Sequence, residues 1–445
     1  MRREKMFIFL LSSLLLALLL TGCSGHSSEG MYALPKQPDA YYDLQNAIDQ
    51  IMTPGATYAG PLAGANQQSV QLVDLDADAE DEAVVFLRTA GELPLKAYIF
   101  DRSGESYRNI AVIEGDGSSF DAVEYAQLDG EPGYEIILGR RLSDQMLQSL
   151  TVYSCRDGQM AELMTCIYSE FKIVDLDSDQ RKDVFVLRLE TEERSGVAEL
   201  YRWHDGQMER EHEASLSVGA KQIKRIISGC LEEGVPAVFV ASTYEEDTII
   251  TDIFALEDSV LRNIATGGEL GVSAQTVRNY HVYATDIDAD GVIELPMPLA
   301  LPSYVVGEET QWSIDWYSMT KDGKQKIKMT TYHNYAGGWY VELPERWHDQ
   351  LTVSKNTQLP GVTAYSVSKW NGYDVAPQEI FTIYAFTGEE RLAQADSDGR
   401  FLLAEKGETA YAASFGSGDW AQALTKEELT AMFHFVYVDW NSGET

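Results

Sequence analysis

One acidic pattern, returning along the chain, constrains the fold more than any other feature of the sequence. Val73-Asp74-Leu75-Asp76-Ala77-Asp78-Ala79-Glu80-Asp81-Glu82 runs into the apolar stretch AVVFL (83–87). Val174-Asp175-Leu176-Asp177-Ser178-Asp179-Gln180-Arg181-Lys182-Asp183 runs into VFVL (184–187), and Thr285-Asp286-Ile287-Asp288-Ala289-Asp290-Gly291-Val292-Ile293-Glu294 into LPMPLAL. The starts lie 101 and 111 residues apart, which invites a further copy in each gap. Gln127-Leu128-Asp129-Gly130-Glu131-Pro132-Gly133-Tyr134-Glu135, followed by IILG, fills the first. In the second gap the apolar strand AVFVA (237–241) survives, but SGCLEEGVP before it lacks the acidic pattern.

A second element recurs in step. After each apolar run comes a strand with an aromatic residue, a turn and another strand, as in KAYIFDRSGESYRNIAVIEG (96–115) and AELYRWHDGQMEREH (198–212). Asp-Gly turns flanked by alternating apolar residues are strong hairpin signals. Units of this kind are visible near 70–118, 121–169, 171–217, 220–268 and 282–333. An all-strand unit repeated every roughly 46 to 58 residues predicts blades, and radial repetition of blades makes a propeller. An open series of hairpins would instead leave long apolar edges exposed. The expected fold is therefore mainly β, a β-propeller of about five or more blades followed by a small α+β domain.

Asp at positions 1, 3 and 5 with a carboxylate at position 9 crowds four anions into each loop, a repulsive arrangement once folding removes water. Several charged oxygen ligands on a short loop match a hard ion such as Ca²⁺. The same acids serve equally as solvated turn residues that bond nearby backbone N–H groups. The D-x-D-x-D-G-x-x-D pattern resembles the FG-GAP/VCBS type of repeat, found in integrin-α-like propellers, over residues 70–333. That resemblance implies three calcium sites: Asp74, Asp76, Asp78 and Glu82; Asp175, Asp177, Asp179 and Asp183; Asp286, Asp288, Asp290 and Glu294. Only the third keeps glycine at position 6, where Ala79 and Gln180 stand in the others. The Gln127/Asp129/Glu131/Glu135 copy carries fewer charges and is expected to bind weakly if at all. Affinities on the order of 10⁻⁴–10⁻³ M would suit extracellular modules.

Arg2, Arg3 and Lys5 precede an uncharged run from Met6 to Leu20, then Leu20-Thr21-Gly22-Cys23. A basic start, an apolar core too short to span a bilayer and small residues before a break form the layout of an export signal. The ending resembles the lipobox of bacterial lipoproteins, which implies removal of residues 1–22 and acylation of Cys23. The expected location is the bacterial cell envelope, lipid-anchored on the extracytoplasmic side. Residues 23–38 then read as a flexible tether, and 39–69 as a helix and a lead-in strand. In that helix Asp39 is the expected N-cap, and Tyr41, Leu44, Ile48 and Ile51 share one face. Cys155, Cys166 and Cys230 are odd in number. With a two-residue turn at Asp157-Gly158, Cys155 faces Met160 and Cys166 faces Ser149, so free thiols are expected.

Beyond about residue 334 the repeat stops, and seven of the eight Trp lie at or beyond Trp312. Thr425 with Glu428 forms a capping box for a final helix near 426–437. Around Gly338-Trp339-Tyr340, Pro344 and Trp347, some ten residues resemble PsbP-like domains. Trp339, Trp347, Trp370 and Trp420 read either as packed core or as a platform for sugars.

Formal net charge is −36, from 34 basic and 70 acidic residues, which excludes the basic footprint of a nucleic-acid binder. No nucleophile elbow, phosphate loop or metalloprotease helix is present. The functional expectation is an extracytoplasmic, membrane-anchored binding, adhesion or scaffold module, more a binder than an enzyme, with an unidentified protein or glycan ligand. The alternatives are a polysaccharide-acting enzyme with its site in the propeller funnel, or an accessory subunit of an envelope complex.

Overall fold

The computed structural model describes residues 39–103, 106–142, 148–156, 159–191, 195–267, 271–305, 307 and 309–436, apart from the side chains of 39–41, 103 and 247. The signal segment, Cys23, the tether, the Asp157-Gly158 turn and the capping role of Asp39 lie outside these residues. Among the described residues the chain is mainly β, in six antiparallel sheets. No helix among them is long and apolar enough to cross a membrane.

The chain divides into two compact units. The first holds the helix Asp39–Ile51 and a sheet of Thr57–Tyr58, Val70–Val73, Glu82–Arg88, Leu95–Ser103 and Ser106–Gly115. Leu44 and Ile48 stand one turn apart on one face of the helix. They are buried with Ala83, Val85, Leu87 and Phe100 of the sheet, while the polar face stays outward.

The second unit carries five sheets. Three are four-stranded meanders: Ser119–Ala126, Glu135–Arg141, Gln148–Arg156 and Gln159–Tyr168; then Glu170–Val174, Asp183–Arg188, Val197–His204 and Gln207–Ser215; then Ile223–Cys230, Pro236–Thr243, Ile249–Glu257 and Val260–Asn263. In the first two, the first strand precedes the loop that the degenerate copy and the second acidic pattern occupy, so the loop joins strands one and two; in the third, residues 231–235 make the same connection without the acidic pattern.

The uninterrupted apolar runs have a packing reason. Alternate residues of a strand point to opposite faces. Val184 and Val186 meet Ile137, Leu150 and Val152 of the preceding sheet, whereas Phe185 and Leu187 meet Val238, Val240 and Phe254 of the next. Phe239 and Ile253 then pack against Leu295, Tyr317 and Met319 of the fifth sheet. A strand covered on both faces loses the polar alternation of a half-solvated one.

The fifth sheet runs Leu295–Ala300, Trp312–Met319, Gln325–Asn334, Trp339–Leu343 and Phe433–Phe435. Its strand Trp339–Leu343 lies beyond residue 334, so this sheet continues across the edge expected from the repeat. The final helix, Lys426–Met432, begins with the expected capping box but stops before Phe433. Phe433 and Phe435 instead pair with Val341 and Trp339, closing an otherwise open strand edge. The last sheet is Leu351–Asn356, Val362–Lys369, Gln378–Thr387, Thr409–Phe415 and Phe401–Lys406. Trp339 and Trp347 are buried between it and the neighbouring strands.

Candidate metal loops

The acidic loops share a fold that their sequence spacing encodes. Positions 4 and 6 adopt left-handed backbone in all three: Ala77 and Ala79 (φ 64° and 72°), Ser178 and Gln180 (62° and 73°), Ala289 and Gly291 (60° and 87°). The turn thus survives without glycine, at a conformational cost of roughly 1 kcal/mol for each non-glycine residue. Position 1 reaches across this turn. Asp175 Oδ2 accepts the Gln180 N–H at 3.1 Å, and Asp286 Oδ2 accepts the Gly291 N–H at 2.9 Å.

Curling the loop brings its acids together. One carboxylate oxygen from each of Asp74, Asp76 and Asp78 lies within 4.8 Å of the others; so do Asp175, Asp177 and Asp179, and Asp286, Asp288 and Asp290. The fourth residue of each predicted set behaves differently. Glu82, Asp183 and Glu294 open the second strand or the bridge beyond the loop, and all are buried. Asp183 Oδ2 takes the Leu176 N–H at 3.5 Å, Glu294 Oε2 the Ile287 N–H at 3.1 Å, and in the degenerate copy Glu135 Oε2 the Leu128 N–H at 2.7 Å. Position 9 is therefore a staple that ties the loop to its strand. Burial pushes Glu294 up to about 7 and Asp183 up to about 6, the latter opposed by the nearby Arg202 guanidinium.

Basic side chains from the same sheets enter these loops, and the sequence pattern does not reveal them. Arg202 Nη2 stands 2.6 Å from Asp177 and its Nε 3.4 Å from Asp183. Lys328 Nζ lies 2.6 Å from Asp290 and 3.9 Å from Asp288. In the degenerate copy Arg156 pairs with Asp129 at 2.6 Å and Glu135 at 3.3 Å. Arg156 follows Asp129 by 27 residues, and Arg202 stands at nearly the same remove from Asp177. That shared offset was the available signal. Lys328 breaks it by arriving from the next strand.

The loops of the second unit also interlock. Tyr134 N–H donates to Leu75 O at 3.0 Å, Lys182 N–H to Gln127 O at 3.2 Å, and Ile293 N–H to Cys230 O at 2.9 Å. Gly133, at φ 106°, lies so close that a Cβ there would stand 2.3 Å from Leu75 O.

Elsewhere, among the described residues, Cys155, Cys166 and Cys230 form no disulfide. Cys155 faces Met160 as expected, but Cys166 faces Leu150 rather than Ser149, because a bulge at Val152/Tyr153 shifts the register by one. The four tryptophans do not form one platform. Trp339 and Trp347 are core residues, Trp420 stacks on Trp347 under Lys369, and Trp370 meets Tyr373 edge-on. His348 Nε2 lies 2.7 Å from the buried Asp315, which Thr330 also bonds, and its Nδ1 3.0 Å from Asp349. Those carboxylates raise the imidazole above its ordinary range.

No protein-family model matches the sequence, and no curated protein is similar to it. Among solved structures the chain is similar to the exotype rhamnogalacturonan lyase YesX, with TM-score 0.36, 13% identity, and coverage of 74% of this chain and 56% of that one. It is also similar to rhamnogalacturonan lyase YesW, with TM-score 0.33, 12% identity, and coverage of 81% of this chain and 63% of that one. The chain thus spans less than two thirds of the length of either. At TM-scores under 0.5 neither likeness bears on what this chain does.

Proposed function

We propose that this chain is a lipid-anchored, extracytoplasmic binding or scaffold module whose successive sheets are propeller blades braced by Ca²⁺ in their acidic loops. The carrying observation is the threefold recurrence of an Asp triplet, its oxygens within 4.8 Å of one another on a loop with left-handed backbone at the same two positions. The donors are all oxygen, as a hard divalent ion requires. Asp175 Oδ1 and Glu294 Oε1 are buried without a hydrogen-bond partner, a state a cation would relieve. The propeller reading is supported by sheets that pack on both faces in chain order. The envelope location rests on the Leu20-Thr21-Gly22-Cys23 stretch, with Cys23 as the lipid-bearing residue.

Thermal unfolding of the chain from Cys23 onward, in chelator and in millimolar CaCl₂, tests the metal. At about 1 mM, an ion that binds the folded state alone with a Kd on the order of 10⁻⁴–10⁻³ M adds roughly 0.4–1.4 kcal/mol per site. The melting temperature is expected to rise with calcium, and coincident curves would remove the metal from the proposal. Radiolabelled fatty acid incorporated by the intact chain but not by Cys23→Ser tests the anchor. A glycan array and pull-down with the soluble protein then address the ligand.

A further inference from the structure

We propose that Arg202 and Lys328 are tethered cations that occupy the second and third acidic loops and must be displaced for a divalent ion to enter. Metal binding at these loops is then a cation exchange rather than the filling of an open cage. This rests on the calcium reading of the same loops and adds what regulates them.

Three loops of the second unit show the arrangement independently. Arg156, Arg202 and Lys328 each bridge two carboxylates of one loop. Where the acidic pattern has decayed, around Asp129 and Glu135, the basic residue remains. That loop reads as one in which the tethered cation has replaced the ion altogether. Arg202 and Lys328 are largely covered, with side chains 15% and 19% exposed. Covered charges are ordinarily paired, and here the carboxylates of the loops supply the pairing.

Each also leaves evidence that it does not complete the site. Glu294 is 0% exposed, and its Oε1 has no partner although Lys328 sits among the neighbouring acids. A lysine ammonium compensates one charge where the third loop holds four carboxylates. The second loop is better neutralised, because Arg181 adds a two-pronged contact to Asp179 at 2.6 and 3.0 Å. Arg202 has somewhere to go, since its Nη1 already reaches Glu211 at 3.3 Å. Calcium therefore enters the third loop more readily than the second, and the degenerate copy not at all.

Removing the competitor strengthens binding, because the ion no longer has to separate a side-chain cation from its carboxylates, an exchange cost on the order of tenfold in affinity. The test is isothermal titration with CaCl₂ at constant ionic strength, on the chain from Cys23 onward and its Lys328→Gln, Lys328→Arg, Arg202→Gln and Arg156→Gln variants. Lys328→Gln is expected to bind Ca²⁺ about tenfold tighter, Arg202→Gln tighter by a similar factor at its own loop, and Lys328→Arg like the parent. Arg156→Gln gains no site. In chelator, Lys328→Gln melts below the parent, and calcium restores it, which separates loss of a counter-ion from simple misfolding. Unchanged or weaker binding by Lys328→Gln and by Arg202→Gln overturns the exchange and leaves the calcium reading standing. Binding by Lys328→Gln but not by the parent supports the exchange and removes calcium from the parent's third loop. No binding by any chain overturns both.

Discussion

Asp252 offers the most direct test of how the fourth sheet holds the segment that leads to the third acidic loop. The residue lies in the strand Ile249–Glu257 and is 0% exposed. Its carboxylate accepts the Ser217 N–H at 3.0 Å, the Ser217 hydroxyl at 2.6 Å, the Ser273 hydroxyl at 2.6 Å and the Asn263 amide at 2.8 Å. Ser217 precedes the sheet and Ser273 follows it, so one side chain clamps the chain on both sides. Asp252→Ala orphans the Ser217 N–H and hydroxyl at roughly 1–3 kcal/mol each, while the Asn263 amide keeps Ser215 O at 3.3 Å and the Ser273 hydroxyl keeps Asn263 Oδ1 at 3.5 Å; partly offset by no longer burying a charge, the net loss is about 3 kcal/mol. Asp252→Asn keeps Oδ1, which accepts the Ser217 hydroxyl, the Ser273 hydroxyl and the Asn263 amide, but turns an NH₂ toward the Ser217 N–H, and is expected to lose about 1–2 kcal/mol. Urea unfolding followed by far-UV circular dichroism measures both, with the slope checked because a chain of two units need not unfold in one step. A loss under about 1 kcal/mol for Asp252→Ala, or equal losses for the two variants, would refute the clamp.

Further expectations follow from the loops and the fifth sheet. Gly133→Ala drives a Cβ onto Leu75 O and strains a positive φ, and should destabilise by about 2–4 kcal/mol in the same urea assay. Gln180→Gly relieves left-handed strain of roughly 1–2 kcal/mol against about 0.5–1 kcal/mol of added chain entropy, so a small net stabilisation of some tenths of a kcal/mol is expected. His348, raised by Asp315 and Asp349, stabilises fully below about pH 6.5 and loses that contribution as pH climbs through its higher folded value. The gap in melting temperature between the parent and His348→Gln should accordingly narrow from pH 6 to pH 9, and a gap that widened would contradict the ion pair.

Much of the local structure was legible because its causes are local. An Asp side chain that bonds a backbone N–H a few residues on shapes the loop wherever the spacing recurs, so the recurrence of the loop was readable, whereas the loss of glycine at Ala79 and Gln180 argued for a weaker turn that the structure nonetheless keeps. The capping box at Thr425 and the helix face of Leu44 and Ile48 belong to the same class. The role of position 9 was half legible. A carboxylate was expected there as a ligand, and the fold uses it first as a staple for the backbone.

By itself, then, the sequence determined the repeat, the mainly β character, the triplets of acids and the acidic net charge. These depend on neighbours along the chain and on composition. Only tertiary structure decided what stands opposite each element. Lys328 belongs to the third loop because two strands pair in register, not because of its place in the sequence. Phe433 leaves a helical pattern because the free edge of Trp339–Leu343 offers it backbone hydrogen bonds. Cys166 shifts by one residue because a bulge intervenes. Each is a long-range pairing, and a residue's own type is silent about which distant edge or charge folding will bring to it.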